Sequence, residues 1–306
     1  MYHRNYHFRQ FHNDCYSSKE ALTVDVPHPG KYQVTFTFKT EIPLKRVSVH
    51  TGTGNPVFTG NIPAGVSKQN IAVNVGNNVS DGERRICQDR TITVTVTADA
   101  DCLSGLSVRE TSCPVIYIAG SADTVPSFHL PEDCSDTWKQ MLTTYIGHKA
   151  AISDYSRPGL TTESFRKEGR YAAIYEYGRP GDFCLFQFDP SGQPVEDWVS
   201  GGICRCQLAR YIIECRERFM YPVLLTPVYC HQSKNMDDFT GQLWKQCLEA
   251  YREVGKLTAT PVIELNKLCV TTHDEYVTAE SVAKKIALTC SAYPGRGYRF
   301  LAKCMG

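Results

Sequence analysis

The sequence predicts an α/β protein in which a three-layer α/β/α domain, with a parallel sheet of about five strands, follows an antiparallel β-sandwich. Two observations carry this prediction. In the first third of the chain, apolar and polar residues alternate in short runs divided by turn-forming residues, which is typical of half-buried antiparallel strands. After Glu110 the apolar runs are unbroken and alternate with helical patterns, which indicates a parallel sheet covered on both faces.

We expect an N-terminal arm over residues 1–20, a β-sandwich accessory domain over 21–110 and the α/β/α domain over 111–306. The sandwich strands are predicted at Leu22–Val26, Tyr32–Phe38, Val47–His50, Ile71–Val75 and Thr91–Thr97. Aromatic residues alternate with Val34 along the second of these strands, which favours a place in the core. We therefore interpret the sandwich as a scaffold, with sugar binding by exposed aromatics as the alternative.

The α/β/α domain is predicted to alternate strands and helices. Its strands are expected at Val115–Ala119, Ala150–Asp154, Phe183–Phe188, Val223–Pro227 and Val262–Leu265, and its helices at Asp136–Tyr145, Thr161–Tyr175, Ile203–Arg218, Phe239–Lys256 and Thr278–Leu288. The first strand runs directly into a turn from Gly120 to Thr124. Because ligands bind outside the carboxyl ends of parallel strands, this turn is expected to form one wall of any active site.

Composition excludes some classes of partner and disfavours others. The chain has 33 basic and 32 acidic residues and a net charge of +1, without the basic runs of a nucleic-acid-binding protein. The N-terminus lacks the apolar segment of a signal peptide, and we see no stretch long and apolar enough for a membrane span. We therefore expect a cytoplasmic protein that binds neither nucleic acid nor membranes, while the oligomeric state stays open.

The cysteines are expected to be reduced and buried. There are 14 of them, scattered along the chain, and an unexported protein keeps its thiols reduced. The tightest group, Cys204, Cys206 and Cys215, contains no CxxC pair and has no histidine-rich neighbour. We therefore expect no metal site and no cofactor.

Five segments stand in a fixed order along the chain. They are Val115-Ile-Tyr-Ile-Ala-Gly, Trp138-Lys-Gln-Met-Leu, Gly159-Leu-Thr-Thr-Glu-Ser-Phe-Arg with Glu168-Gly, Arg179-Pro-Gly-Asp-Phe-Cys-Leu-Phe-Gln-Phe and Tyr221-Pro-Val-Leu-Leu-Thr-Pro. Together they resemble the SGNH or GDSL hydrolases, most closely the rhamnogalacturonan acetylesterases, which include forms with an N-terminal β-sandwich. The resemblance implies a flavodoxin-like SGNH domain that hydrolyses acetyl esters on pectic polysaccharides. It also implies a serine nucleophile after the first strand, oxyanion-hole donors after the second and third, and an Asp-x-x-His pair near the C-terminus.

The nucleophile block departs from this pattern. The family has Gly-Asp-Ser where this chain has Gly120-Ser-Ala-Asp. An ungapped match places Ala122 at the nucleophile, and one inserted residue places Asp123 there instead. Ser121 stands one position early, and one residue on a tight turn changes the direction of the side chain completely. Ser121 is therefore a candidate for a displaced nucleophile, while neither alignment supplies a serine.

The oxyanion blocks are retained only in part. Gly159 is compatible with an N–H donor after the second strand, although a Pro-Gly turn before a helix is common for structural reasons. The family's Gly-His-Asn-Asp falls on Asp189, Pro190, Ser191 and Gly192. Ser191 thus replaces the asparagine donor, whose loss typically costs about a hundred- to a thousand-fold in rate. Asp189 would add negative charge where an oxyanion forms.

The C-terminal block has two alignments. His273 matches the catalytic histidine, but the aspartate position three residues earlier holds Val270. The other alignment places Tyr276 at the base and His273 at the acid. The leading hypothesis is therefore a catalytically degenerate esterase that retains a cleft, lined by Gly120, Asp189 and Tyr276, for a carbohydrate or small ester. The alternative is an active carboxylic-ester hydrolase whose site uses Ser121 or Ser191 with His273.

Overall fold

The computed structural model describes residues 3–7, 19–51, 55–79, 86–88, 90–97, 102–121, 138–190, 192–227, 238–270 and 275–293. The statements below refer to these ranges. Within them, no helix combines the length and the apolar character that crossing a membrane requires.

The second part of the chain contains a five-stranded parallel sheet. Its strands are β11 (Val115–Gly120), β12 (Ala151–Asp154), β13 (Phe183–Gln187), β14 (Tyr221–Leu225) and β15 (Val262–Ile263) in the spatial order β12-β11-β13-β14-β15. All four neighbouring pairs are parallel. This is the flavodoxin-like order, in which the chain moves outward on one side of the first strand and then returns to its other side. The predicted fold class is confirmed for this domain.

Helices cover both faces of this sheet. They are α1 (Trp138–Ile146), α2 (Ser164–Lys167), α3 (Arg170–Tyr177), α4 (Ile203–Glu217), α5 (Asp238–Leu257), α6 (Leu265–Val270) and α7 (Glu275–Ser291). Tyr117 and Phe186 point into a core with α3, α4 and α5, whereas Ile118 and Leu185 point into a core with α1 and α7. Side chains alternate across a strand, so each strand supplies both cores and must be apolar throughout.

The first part of the chain contains two four-stranded antiparallel sheets and a short ribbon. The strands are β1 (His3–His7), β2 (Lys19–Asp25), β3 (Gly30–Thr40), β4 (Leu44–Thr51), β5 (Asn55–Ile62), β6 (Gly65–Val75), β7 (Asn77–Val79), β8 (Ile86–Gln88), β9 (Thr91–Thr97) and β10 (Leu103–Glu110). The sheets have the orders β1-β10-β3-β6 and β2-β9-β4-β5, and β7 pairs with β8. Side chains from both sheets, including Phe36 and Val49, form one buried core.

Buried polar contacts join the antiparallel sheets to the parallel one. Lys31 of β3 reaches the carboxylate of Asp182 over 2.7 Å between Nζ and Oδ1. The same carboxylate accepts the backbone N–H groups of Val115 and Arg179, each at 2.9 Å. The Asn74 side chain of β6 donates to Ser153 Oγ of β12 at 2.9 Å. The two parts of the chain are therefore linked through specific side chains beside the first two parallel strands.

Several element boundaries differ from the prediction. The expected helix over Thr161–Tyr175 is divided into α2 and α3 at Gly169, whose φ of +79° is left-handed. The expected arm contributes β1, which pairs with β10. Strands β5 and β10 are not among the predicted runs because glycine and proline interrupt their patterns; Pro56 lies in β5, at the edge of its sheet, where proline is tolerated.

Candidate functional site

The strand order places a candidate site at the carboxyl ends of β11 and β13. The chain passes from β11 to β12 on one side and later reaches β13 on the other, and the carboxyl ends of strands at such a change of direction are where ligands bind in open α/β sheets. Gly120 ends β11 and Ser121 follows it, while Phe188 and Asp189 follow β13. The structure thus brings together two of the sequence-predicted blocks, those that contain Ser121 and Asp189.

Gly120 is required by the close approach of the two strands. Its φ is +130°, and a Cβ built on it would lie 1.7 Å from the backbone oxygen of Gln187. Any other residue would collide with β13 in a conformation that L-residues rarely adopt. Gly120 therefore fixes the direction in which the chain leaves β11 and with it the position of Ser121.

The Ser121 hydroxyl is part of the junction between the two strand ends. Its Oγ accepts a hydrogen bond from the Asp189 N–H at 2.7 Å, and its own N–H donates to the Gln187 oxygen at 2.8 Å. The side chain is 1% exposed. Ser121 thus holds the start of the loop after β13 against β11, with its oxygen turned inward.

Buried polar side chains support the loop after β13 from behind. The Tyr251 hydroxyl of α5 accepts the Phe188 N–H at 2.7 Å and donates to the Phe188 oxygen at 3.2 Å. Burial raises the pKa of Tyr251 well above its usual value, which keeps this donor protonated. Gln193 donates through Nε2 to the Asp189 oxygen at 3.4 Å and accepts from the Cys204 thiol. The backbone at Phe188 and Asp189, where the third family block begins, is therefore held by side chains behind it.

Gly159 lies in an exposed turn after β12. Its φ is +75°, and a Cβ at this position would meet nothing within 4 Å. Glycine is favoured here by backbone conformation and not by lack of space. Two residues earlier, the Arg157 N–H donates to the Gly120 oxygen at 3.0 Å. This bond extends the pairing of β12 with β11 up to the candidate site.

The turn between Gly159 and α2 is closed by reciprocal hydrogen bonds. Thr161 Oγ1 accepts the Ser164 N–H at 3.0 Å, and Ser164 Oγ accepts the Thr161 N–H at 2.8 Å. The pair has the geometry of a capping box with serine in the position usually held by glutamate. The segment after β12 is therefore ordered by its own side chains.

Most of the other predicted site residues fall outside the ranges that the structure describes. Ala122, Asp123, Ser191 and His273 lie outside the described residues. Tyr276 lies in the first turn of α7. The structure therefore describes Gly120, Ser121, Gly159 and Asp189 in detail, and it brings three of these four to the β11–β13 junction.

Sequence reasoning missed a polar cluster beside the junction. Lys139 of α1 donates through Nζ to Asp154 Oδ2 at 2.7 Å and to Ser156 Oγ at 2.9 Å. Ser156 Oγ also donates to Asp154 Oδ1 at 2.5 Å, and the Ser156 N–H donates to the same oxygen at 2.9 Å. An Asp-x-Ser sequence that begins at the last residue of a parallel strand could have drawn attention to this turn. No local pattern, however, points to Lys139.

The central strand contributes a second missed feature, the side chain of Gln187. This residue is 0% exposed. In the part of the chain that the structure describes, neither its Nε2 nor its Oε1 has a hydrogen-bond partner. Buried amides are nearly always paired, so an unpaired one at the carboxyl end of a central strand calls for an explanation.

Cysteines near the site behave as small buried side chains. Seven of the eight free cysteines described are buried, and Cys206 on α4 is exposed. Burial raises the pKa of the Cys204 thiol to about 12. Across the described ranges, the histidine, cysteine, aspartate and glutamate side chains form no group of three or more that could hold a metal ion.

Comparison with known proteins relates the chain to esterases. No family model matches it. Rhamnogalacturonan acetylesterase RhgT of Bacillus subtilis (strain 168) is 26% identical over 170 residues, which cover 54% of this chain and 71% of that protein. The uncharacterized esterase YxiM of the same organism is 31% identical over 91 residues, covering 28% of this chain and 24% of that protein.

Among solved structures, YxiM of Bacillus subtilis matches with a TM-score of 0.46 and 19% identity over 86% of this chain and 78% of that one. A lipolytic protein of the G-D-S-L family from Veillonella parvula DSM 2008 matches with a TM-score of 0.43 and 10% identity, over 57% of this chain and 98% of that one. With the sequence similarity to RhgT and the strand order of its parallel sheet, the chain is an SGNH hydrolase-like protein.

Proposed function

We propose that this protein is a catalytically degenerate relative of the carbohydrate acetylesterases that binds carbohydrate in the inherited cleft without hydrolysing it. One observation carries the proposal. The Ser121 hydroxyl, which stands nearest to the nucleophile position on β11, is 1% exposed and accepts the Asp189 N–H. A serine nucleophile needs an exposed oxygen within reach of a base, and this oxygen is turned into the β11–β13 junction.

The sequence supports the proposal at the other catalytic positions. Ala122 and Asp123, which alternative alignments place at the nucleophile, carry no hydroxyl. Val270 stands where the family has the aspartate that orients the histidine, and it is the last residue of α6. A base without an orienting acid is strongly impaired. The losses therefore affect the nucleophile and the base together.

The retained frame supports a binding role. Ser121 and the buried Tyr251 hydroxyl hold Phe188 and Asp189, the start of the segment after β13, against the end of β11. Backbone that is positioned in this way can present groups to a ligand without catalysing a reaction on it. Carbohydrate is the ligand class we propose because RhgT, the relative with the longer match, is a rhamnogalacturonan acetylesterase.

Two measurements on the full chain test this function. Hydrolysis of p-nitrophenyl acetate and of acetylated rhamnogalacturonan is expected to stay at the rate without protein. Isothermal titration calorimetry is expected to detect binding of rhamnogalacturonan oligosaccharides. If no oligosaccharide binds, the proposed binding role is wrong.

Turnover by the wild-type protein above that background would overturn the non-catalytic assignment. In that case the nucleophile is identified with the variants Ser121→Ala and Ser191→Ala. The matched control is Ser104→Ala in β10. Loss of turnover in one of the first two variants alone would favour the alternative function, an active carboxylic-ester hydrolase whose rearranged site uses that serine with His273.

A further inference from the structure

Helix α4 carries apolar side chains on its outer side as well as on the side that faces the core. Ile203 and Ile213 are 53% and 55% exposed, and Cys206 between them is exposed. With Arg210 they follow one another at intervals of three, four and three residues, which keeps all four on one face of the helix. We call Ile203, Cys206, Arg210 and Ile213 the outer stripe. A surface helix of a monomeric domain is normally polar on its outer face, so this stripe indicates a contact surface.

The outer stripe runs across the middle of one face of the α/β/α domain. The Tyr171 hydroxyl of α3 donates to the Tyr211 oxygen of α4 at 3.2 Å. On the other side, Arg205 of α4 forms an ion pair with Glu253 of α5. Helix α4 therefore lies between α3 and α5, and a partner that covers the stripe meets the centre of this helical layer.

The apolar surface of α4 continues past its last turn. Phe219, two residues after the end of the helix, is 72% exposed and has a φ of +56°. A bulky side chain in the left-handed region is an outlier that costs free energy, and such strain is concentrated at functional surfaces. The exposed phenylalanine is therefore a second feature of α4 that is typical of a contact surface.

The two ends of α4 carry opposite charge. A Cβ built on Gly202 would lie 2.4 Å from the backbone oxygens of both Glu196 and Asp197, so these acidic residues lie directly beside the start of the helix. Burial and the neighbouring carboxylate of Glu196 raise the pKa of Asp197. At the other end, Arg216 and Arg218 donate to backbone oxygens of nearby segments and pair with no carboxylate of the described residues. Each end therefore suits the opposite end of a second α4.

A two-fold axis brings all of these features together. When two α4 helices pack antiparallel so that Ile203 of each copy contacts Ile213 of the other, Cys206 of each meets Arg210 of the other. The same register places the acidic start of each helix beside the arginines at the end of the other, where the opposite charges attract. We infer that two copies of this chain associate through the outer stripes of antiparallel α4 helices.

The size of this contact sets its strength. Helix α4 has 15 residues and is about 22 Å long, so a contact strip about 10 Å wide covers about 220 Å² on each copy. Stable complexes typically bury about 800 Å² on each partner. The dimer is therefore weak and reversible, with a Kd of about 10–100 µM.

Sedimentation equilibrium of the full chain tests whether the dimer forms. The protein is expected to be monomeric at about 1 µM and mostly dimeric at about 1 mM, which lie well below and well above this Kd. A monomer over this whole range would overturn the proposal. A wild-type monomer that instead co-sediments with phosphatidylcholine vesicles would show that the stripe contacts membranes, and the proposal would again be wrong.

A pair of charge variants tests the register. Ile203→Glu and Ile213→Lys are each expected to weaken the dimer about a hundredfold, because the two-fold axis removes each contact twice, at about tenfold per contact. Mixed in equal amounts, the two variants are expected to dimerise about as tightly as the wild type. In the mixed dimer the new carboxylate faces the new ammonium group, and the second isoleucine contact is intact. Leu288→Glu, which changes an exposed leucine of α7, is the matched control and is expected to dimerise as the wild type.

The outcomes separate the surface from the register. If both single variants dimerise as the wild type, α4 is not the interface. If each variant is monomeric and the mixture does not restore the dimer, the antiparallel register is wrong. Both replaced side chains are exposed, so far-ultraviolet circular dichroism is expected to match that of the wild type. Should one variant not fold, Cys206→Arg, which sets a second cation against Arg210 of the other copy, is expected to weaken the dimer instead.

Discussion

The contact between Lys31 and Asp182 makes a sharp prediction about how the two parts of the chain depend on each other. The side chains are 18% and 1% exposed, and their charged atoms are 2.7 Å apart. We consider the variant Lys31→Met, which keeps the length and the apolar stem of the side chain but removes its charge. The Asp182 carboxylate then stays buried without its cation.

The magnitude follows from the remaining partners of Asp182. Removing one member of a buried ion pair typically costs about 3–5 kcal/mol because the other charge is left uncompensated. Asp182 keeps two backbone donors, the N–H groups of Val115 and Arg179, which stabilise its negative charge. We therefore expect a loss of about 3 kcal/mol in the free energy of unfolding, the lower end of that range.

Urea unfolding followed by far-ultraviolet circular dichroism measures this loss. Lys39→Met is the matched control, since Lys39 lies on the same strand and is exposed, and its effect is expected within about 0.5 kcal/mol. In a double-mutant cycle with Asp182→Asn, the two changes are expected to be non-additive by about 1–3 kcal/mol. If Lys31→Met is as stable as Lys39→Met, the ion pair does not join the two parts as inferred.

Three further predictions concern the site and the cysteines near it. The variant Gly120→Ala is expected to lose several kcal/mol of unfolding free energy or to fail to fold, since its Cβ would lie 1.7 Å from a backbone oxygen. The variant Gly159→Ala has open space around the new Cβ and is expected to lose only about 1–2 kcal/mol, through backbone strain. Similar urea midpoints for the two variants would contradict this. At pH 9, iodoacetamide is expected to label the exposed Cys206 before Cys204, because burial raises the pKa of the Cys204 thiol to about 12. Trypsin cleaves after Arg205, so mass spectrometry measures the labelling of the two cysteines separately. Equal labelling rates would contradict this prediction. The pKa of Cys204 is higher in the folded than in the unfolded chain. The contribution of its neutral thiol to the free energy of unfolding is therefore fully present below about pH 9, and it decreases as the pH rises toward 12.

Local sequence patterns predicted much of the fold. The change from alternating to unbroken apolar runs after Glu110 coincides with the end of β10, and the parallel strands lie close to their predicted positions. These features are predictable because a strand packed on one face and a strand packed on both faces leave different periodicities in the sequence. Strands β5 and β10 were not predicted because their own sequence patterns are weak. Pairing with neighbouring strands in their sheets stabilises them instead.

The sequence by itself determined that a glycine stands at the end of the first parallel strand and that the hydroxyl after it stands one position early relative to the family pattern. Only the tertiary structure decided what that hydroxyl does, because the φ of +130° at Gly120 and the approach of β13 turn Ser121 Oγ onto the Asp189 N–H. The same holds for the bond from Lys139 to Ser156, 17 residues apart, and for Lys31 with Asp182, 151 residues apart. Periodicity encodes which face of an element is buried, but the polar partners that meet there depend on how distant elements pack.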